Sequence, residues 1–213
     1  MAVLALLVRA QVDDVLTLDE SAIRAATEIT RARPGLLTAL LVWEAAFQGV
    51  WVNTVVGLVC WWAWRRHGLK TRALWAFVTV MAAWGLQALT KLVVQRTRPV
   101  VEDAVAHSGG YSFPSGHAAN TTAAVLVVTI LVWPLLGRRG RVVVPVVAAV
   151  LVVLTALDRV FLGVHYPSDV VAGVLFGAAV TFASFVGYRG STPSVPAPED
   201  DAEAPSRHAE AGR

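Results

Sequence analysis

The sequence predicts an all-α fold, a polytopic membrane helix bundle. Three observations carry that expectation. Apolar residues make up 56% of the 213-residue chain and charged residues 15%, against roughly 45–50% and 25% in soluble domains. Several apolar runs reach the ~18 residues that suggest a membrane-crossing helix. Between the runs lie short segments where Arg, Lys, Pro and Gly gather. A chain of this length suits one domain with a tail. The formal charge of +3 says little about partners until the charges are placed. Cys60 is the single cysteine, so an internal disulfide is excluded, and its apolar surroundings read as a buried, inert thiol.

Residues 1–35 read as an N-terminal interfacial or truncated first helix. Met1 to Val8 is apolar but stops at Arg9, too short to span, and no convincing cleavage site follows. Two readings stand: an interfacial start, or the remainder of a spanning helix that begins upstream. From Val12 to Arg33, Val15, Ala22, Ala26 and Ile29 share a helical face, with Asp19, Glu20, Arg24, Glu28 and Arg31 elsewhere. That pattern fits a helix lying in the membrane interface. Pro34-Gly35 breaks it.

A membrane domain over 36–188 holds five expected spans: Leu36–Trp64, Ala73–Val94, Ala118–Leu136, Val142–Leu157 and Val170–Val186. The first carries Glu44, Gln48 and Asn53. Glu44 and Gln48 are four apart and share a face. Such groups face a bundle interior, either lining a pocket or closing an interhelical hydrogen bond. Trp61, Trp62 and Trp64 form an aromatic belt. The tail over 189–213, rich in Ser, Pro, Ala and acids, reads as disordered.

Basic residues orient the bundle. Arg65, Arg66, Lys70 and Arg72 fill one short loop, and Arg138, Arg139 and Arg141 fill another. The positive-inside rule puts both on the cytoplasmic side. Segments 95–117 and 158–169 then lie on the opposite face, where Arg96, Arg98 and Arg159 run against the rule.

That face carries the chemistry. In Tyr111–Asn120, YSFPSGHAAN, Pro114 suits the first position of a helix. The N–H groups of Ser115, Gly116 and His117 then fall in a first turn that no helical carbonyl serves. Such a turn attracts anions. Gly116 permits close approach, and His117 adds a proton donor. Lys91 and Arg98 are seven apart, about two helical turns, so both point one way. Taken alone they also fit interfacial snorkelling, as Arg96 does. Pro167 suits a second helix start, which puts Asp169 in a first turn facing His165, four residues earlier. A carboxylate on one ring nitrogen leaves the other free as a nucleophile. Alone, the pair also fits a structural hydrogen bond. Three segments nevertheless place cations, two histidines, a carboxylate and an N–H nest on one face. Phosphoryl transfer needs cations and oriented N–H groups. Metal binding is disfavoured, because carboxylates are few for magnesium and the cations would repel it.

The sequence Lys91-x6-Arg98-Pro99, then Pro114-Ser115-Gly116-His117, then Arg159-x5-His165-x3-Asp169 resembles the three-part signature of the type 2 phosphatidic acid phosphatases. That family shares a superfamily with bacterial acid phosphatases and vanadium haloperoxidases. The resemblance spans residues 91–169. It implies that His165 attacks phosphorus, that Asp169 orients it, and that His117 protonates the leaving oxygen and then activates water. It further implies that Lys91, Arg98, Ser115, Gly116 and Arg159 hold the phosphoryl oxygens. No metal or other cofactor and no nucleic acid is implied. The expected partners are membrane lipids and a lipid phosphate or polyprenyl (di)phosphate substrate, reached from outside a bacterial-type plasma membrane. Two departures stand out. Asp158 occupies a position where the family usually has Ser, and it either orients Arg159 or weakens its hold on phosphate. Five expected spans fall short of the six typical of membrane members. A phosphotransferase would use the same residues. A haloperoxidase fits the spanning helices poorly, and a non-catalytic scaffold or transporter has no use for the intact histidines.

Overall fold

The computed structural model describes residues 13–100, 106 and 109–190. These form α-helices and no strand: α1 Asp13–Arg31, α2 Pro34–Ala46, α3 Gly49–His67, α4 Lys70–Val94, α5 Gly116–Val132, α6 Gly140–Phe161 and α7 Pro167–Gly190. A 3-10 turn, Trp133–Leu135, extends α5. Four helices are long and apolar enough to cross a membrane: α4, α5 with its extension, α6 and α7. Together α2 and α3 make a fifth candidate, bent by 53°. The chain is an integral membrane protein with an all-α fold.

The bend corrects the single span expected over Leu36–Trp64. Phe47 N–H closes onto Trp43 O at 2.9 Å, and Gln48 turns extended at φ −57° and ψ 142° to begin α3. Glu44 and Gln48 therefore lie on opposite sides of a break rather than on one helical face. Asn53 is buried, and neither atom of its amide finds a hydrogen-bond partner among the described residues. Residues 1–12, 101–105, 107–108 and 191–213 lie outside the described residues, and with them the apolar start at Met1–Val8 and most of the expected tail. That tail was expected from residue 189, but α7 runs through Gly190.

Helix α1 also departs from expectation. Its buried stripe is Asp19, Ile23, Ala26, Thr27 and Thr30, while Ala22 and Ile29 are exposed. The stripe is rotated because α1 docks on protein. Thr30 Oγ1 donates to Phe161 O at 2.8 Å, at the end of α6. Asp19 accepts the Ser168 N–H at 3.0 Å, at the start of α7. A polar group buried in the bundle needs such a partner, so Asp19 faces inward with the apolar residues.

Helix α5 sits at the centre and touches α3, α4, α6 and α7. Lipid tails are as apolar as a leucine side chain, so burial in lipid gives helices little reason to associate; close packing and hydrogen bonds do. The buried face of α5 is accordingly small: Ala118, Ala119, Thr122 and Ala123. Gly173 and Gly177 of α7 press on it. A Cβ at Gly177 would lie 2.4 Å from Ala119 O, and one at Gly173 2.6 Å from Ser115 O. Farther along, Trp75 Nε1 donates to Ser184 Oγ at 2.9 Å, and Thr79 Oγ1 pairs with the same hydroxyl at 2.7 Å. The apolar cluster of Val56, Cys60, Ala76, Val80, Val127 and Leu131 joins α3, α4 and α5, with Cys60 buried as expected. Outward valines such as Val142, Val146, Val150 and Val153 on α6 stay exposed to the lipid side.

The two ends differ. At one, α3 stops on Gly68, whose φ of 67° needs glycine, with Gly68 N–H on Trp64 O and Leu69 N–H on Ala63 O. Arg72 Nη1 there donates to Ile130 O at 3.3 Å, and Arg141 lies over the Trp133 ring. The histidine-bearing segments gather at the other end.

Replacing Gly177 by alanine puts a methyl group against backbone, which overpacking of this kind penalises by ~1–3 kcal/mol. Melting of the detergent-solubilised protein should drop clearly for Gly177→Ala. It should barely move for Gly57→Ala, whose Cβ would sit 3.7 Å from Phe77 Cε2. Equal melting of the two variants would mean that the α5–α7 contact is not tight.

Candidate active site

Three segments converge at that end through backbone bonds. Ser112 N–H donates to Arg96 O at 2.9 Å, which ties the stretch before α5 to the chain leaving α4. Ser115 N–H donates to Asp169 O at 2.9 Å, which ties the start of α5 to α7. Leu162 N–H bonds Asp158 O, Gly163 turns at φ 74°, and His165 N–H returns to Arg159 O at 3.3 Å. This fold-back lays His165 against the end of α6.

His165 is 2% exposed. Arg98 Nη1 lies 3.3 Å from its Nε2. A guanidinium can only donate, so Nε2 carries the lone pair and the ring proton sits on Nδ1. Nδ1 faces Asp169 Oδ2 at 3.6 Å, a contact too long for a direct hydrogen bond. Burial pushes the imidazole down to about 4, against the pull of Asp169 and with the help of Arg98 and Lys91. Burial thus favours the neutral ring at pH 7, with Arg98 beside Nε2. Asp169 is fixed by Tyr166 N–H on Oδ2 at 3.0 Å and by Arg96 Nη1 on Oδ1 at 2.6 Å.

Lys91 and Arg98 do converge, but not along a helix face. Helix α4 ends at Val94, and Gln95 turns left-handed at φ 52°. Arg98 reaches the site from the following loop, where Pro99 would not allow a helix to continue. Lys91 Nζ donates to Tyr111 O at 3.1 Å. Arg98 donates to the carbonyls of Gly109, Gly110 and Val164 at 2.8–3.2 Å. Among the described residues neither cation pairs directly with a carboxylate, so no contact ion pair offsets either charge.

Arg159 differs. It is 1% exposed and is held on two sides. Asp158 Oδ2 accepts from its Nε at 2.8 Å and from its Nη2, and Glu44 Oε1 accepts from its Nη1 at 2.8 Å. Asp158 thus orients Arg159 and at the same time offsets its charge. Glu44 closes an interhelical ion pair and reaches the site as well. His117 lies within electrostatic reach of Arg159, His165 and Lys91. Its Nε2 is buried and has no hydrogen-bond partner among the described residues.

The N–H nest is smaller than the sequence suggests. Helix α5 starts at Gly116 with Ser115 as its N-cap, so Pro114 precedes the helix rather than opening it. The Ser115 N–H is taken by Asp169, leaving Gly116, His117 and Ala118 as the unserved first-turn donors. Ser115 Oγ is buried and does not cap the helix. Gly116 faces Gln87, whose Oε1 would lie 3.2 Å from an added Cβ. Its lack of a side chain therefore serves that packing as well as access to the backbone.

The sequence also points past two residues. Arg96 bridges Asp169 and Asp19, with Nη2 on Asp19 Oδ2 at 2.8 Å, and lies 4.2 Å from the Tyr166 ring centre. Asp19 is one of several carboxylates on α1, so its sequence neighbourhood does not single it out. Among the described residues no three His, Cys, Asp or Glu side chains converge as metal ligands.

Fold and site together define a membrane helix bundle with a cationic, two-histidine centre at one end. Residues 72–193 match the model of the PAP2 superfamily, and the chain belongs to that superfamily. It is 38% identical over 161 residues to the decaprenylphosphoryl-5-phosphoribose phosphatase of Mycolicibacterium smegmatis, covering 72% of this chain and 81% of that one. The Mycobacterium tuberculosis protein of the same name is 44% identical over 101 residues, 46% of this chain and 51% of that one. Phosphatidylglycerophosphatase B of Bacillus subtilis is 30% identical over 118 residues, 52% and 57% of the two chains. The match thus spans only about half the length of the latter two relatives. The crystal structure of a transmembrane PAP2 type phosphatidylglycerolphosphate phosphatase from Bacillus subtilis shares the fold. Its TM-score is 0.76 at 23% identity, covering 88% of this chain and 94% of that one.

Proposed function

We propose that the chain is a membrane phosphatase. It hydrolyses a lipid phosphate or polyprenyl (di)phosphate through a phosphohistidine, at a site on the extracytoplasmic face of a bacterial-type plasma membrane. The observation that carries this reading is the buried His165 ring, with Asp169 facing Nδ1 and Arg98 beside Nε2. In the first step Nε2 bonds to phosphorus, the bond to the lipid oxygen breaks, and His117 protonates that oxygen. In the second, water gives its proton to His117 and attacks phosphorus, and the N–P bond breaks to release phosphate. Lys91 and Arg98 stabilise the phosphoryl oxygens most strongly, since their charges are not offset. Arg159, Ser115 and the Gly116 N–H complete the hold. The charge that builds on those oxygens is what such donors favour in the transition state.

Two further features support a lipid substrate. Two of the relatives above are named decaprenylphosphoryl-5-phosphoribose phosphatase and phosphatidylglycerophosphatase B. An apolar cavity of about 320 Å³ lies between α3, α5 and α6, bordered by Phe47, Val52, Val56, Val125 and Val147. It begins beside the bend between α2 and α3, close in sequence to Glu44, and suits a hydrocarbon chain whose head group sits at the histidines. The orientation rests on the basic loops at 65–72 and 137–141, which lie at the end away from the site.

Purified protein should release phosphate from at least one of phosphatidate, phosphatidylglycerophosphate or an undecaprenyl phosphate, with EDTA present. The His165→Ala variant should be inert. Release that persists in that variant, or that stops with EDTA, would sink the mechanism. For orientation, a protein carrying Ala106→Cys in place of Cys60 should react with an impermeant maleimide in intact cells. Reaction only after lysis would put the site on the cytoplasmic side.

A further inference from the structure

Behind Asp169 lies a buried charge cluster that none of the three motif segments accounts for. Arg96 Nη1 donates to Asp169 Oδ1 at 2.6 Å and to Ser168 Oγ at 2.7 Å, and Nη2 donates to Asp19 Oδ2 at 2.8 Å. Asp19 in turn receives the Ser168 N–H on Oδ1 at 3.0 Å and the Ser168 hydroxyl on Oδ2. The side chains of Arg96, Asp19 and Asp169 are 8%, 4% and 0% exposed. Each partner comes from a different element: Asp19 from α1, Arg96 from the loop after α4, and Asp169 from α7.

A single Arg96–Asp169 pair would be neutral. Asp169 would then lend little negative charge to His165, three and a half ångströms or so away. Asp19 changes the balance: with two carboxylates on one guanidinium, the cluster keeps a net charge of about −1. That charge faces the His165 ring, which becomes cationic when Nε2 bonds to phosphorus. Resting on the reading of His165 as nucleophile, we propose that Asp19 and Arg96 are positioning residues for it. Arg96 fixes the Asp169 carboxylate, and Asp19 offsets Arg96 so that Asp169 still stabilises the imidazolium. Helix α1 is thereby part of the catalytic apparatus and not merely an interfacial anchor.

The other charged and titratable groups facing this pair are Lys91 from α4, Arg98 from the loop, His117 from α5, Tyr166 beside Arg96 and, next to Tyr166, Glu20 of α1. None of these changes between the variants, so the sign of the effect is set by Asp19 and Arg96. Removing the Asp19 charge disfavours a cationic His165, and the acid limb of kcat/KM should move to lower pH. Removing the Arg96 charge favours it, and the limb should move to higher pH.

The test uses full-length protein in detergent with phosphatidate, or whichever lipid phosphate of the panel turns over. Asp19→Asn and Arg96→Gln should each lower kcat by roughly 10–100-fold, the scale on which outer partners of liganded histidines act. KM should stay within about twofold, since neither residue touches phosphate. The acid limbs should move in opposite directions. Arg96→Lys keeps the charge but cannot bridge both carboxylates. It is measured in parallel in case Asp19→Asn does not survive purification, and it should lose kcat with the limb near its original place. A folded Asp19→Asn or Arg96→Lys enzyme with wild-type kcat would overturn the proposal. So would limbs that move the same way, as expected if the cluster only holds the fold. Residual turnover by His165→Ala would remove the nucleophile reading itself, and this one with it. A failure confined to the Asp19 and Arg96 variants leaves that reading in place.

Discussion

The close crossing of α5 and α7 is the contact on which the site depends. Gly173 and Gly177 let α7 approach within backbone distance of Ser115 and Ala119. At that spacing the Ser115 N–H reaches Asp169 O. One backbone hydrogen bond therefore joins the N-cap of α5 to the first turn of α7. His117 is two residues beyond the first partner, and His165 four residues before the second. Their separation is thus set by two packed helices, not by flexible side chains. In a membrane this matters more than in water, because little hydrophobic gradient draws the helices together and small residues must do so by packing.

Around that frame the site is built from charges of unequal weight. Lys91 and Arg98 donate to carbonyl groups and form no contact ion pair among the described residues. Arg159 is held by Asp158 and Glu44, and Arg96 by Asp19 and Asp169. A buried pair of this kind adds little net stability, yet removing one partner costs ~3–5 kcal/mol because a charge is then left unpaired. The cluster thus fixes geometry more than it stabilises the fold. The four cations thus differ in setting: two rest on carbonyl groups and two are tied to carboxylates.

Much of this was legible in the residues. Long apolar runs gave the helices, and the spacing of Lys91, Arg98, His117, Arg159, His165 and Asp169 brought three segments to one end. Pro167 and Asp169 stand where local rules put them, at the first turn of α7. What was not legible depends on neighbours distant in sequence. No proline marks the bend at Phe47–Gln48, and Gln48-Gly49 lies inside a run long and apolar enough to read as one span. The expected span does end at Val94, but the left-handed Gln95 that follows takes Arg98 into a loop rather than two helical turns on from Lys91. Asp19 read as the polar side of an interfacial helix because nothing nearby in sequence says that Ser168 and Arg96 await it. Arg96 read as a snorkelling cation for the same reason. The Ser115 N–H looked free because its acceptor, Asp169 O, lies on another helix.

The central claim is that His165, oriented from behind by Asp169, takes the phosphoryl group onto Nε2. Its most direct measurement is the intermediate itself. The wild-type protein is mixed with phosphatidate carrying a radiolabelled phosphate and quenched in alkali during turnover. The account predicts label on the protein that is stable in alkali, lost in acid, and mapped to the peptide containing His165. Label on a serine, or turnover in the wild-type protein with no trapped label under any quench, would contradict it.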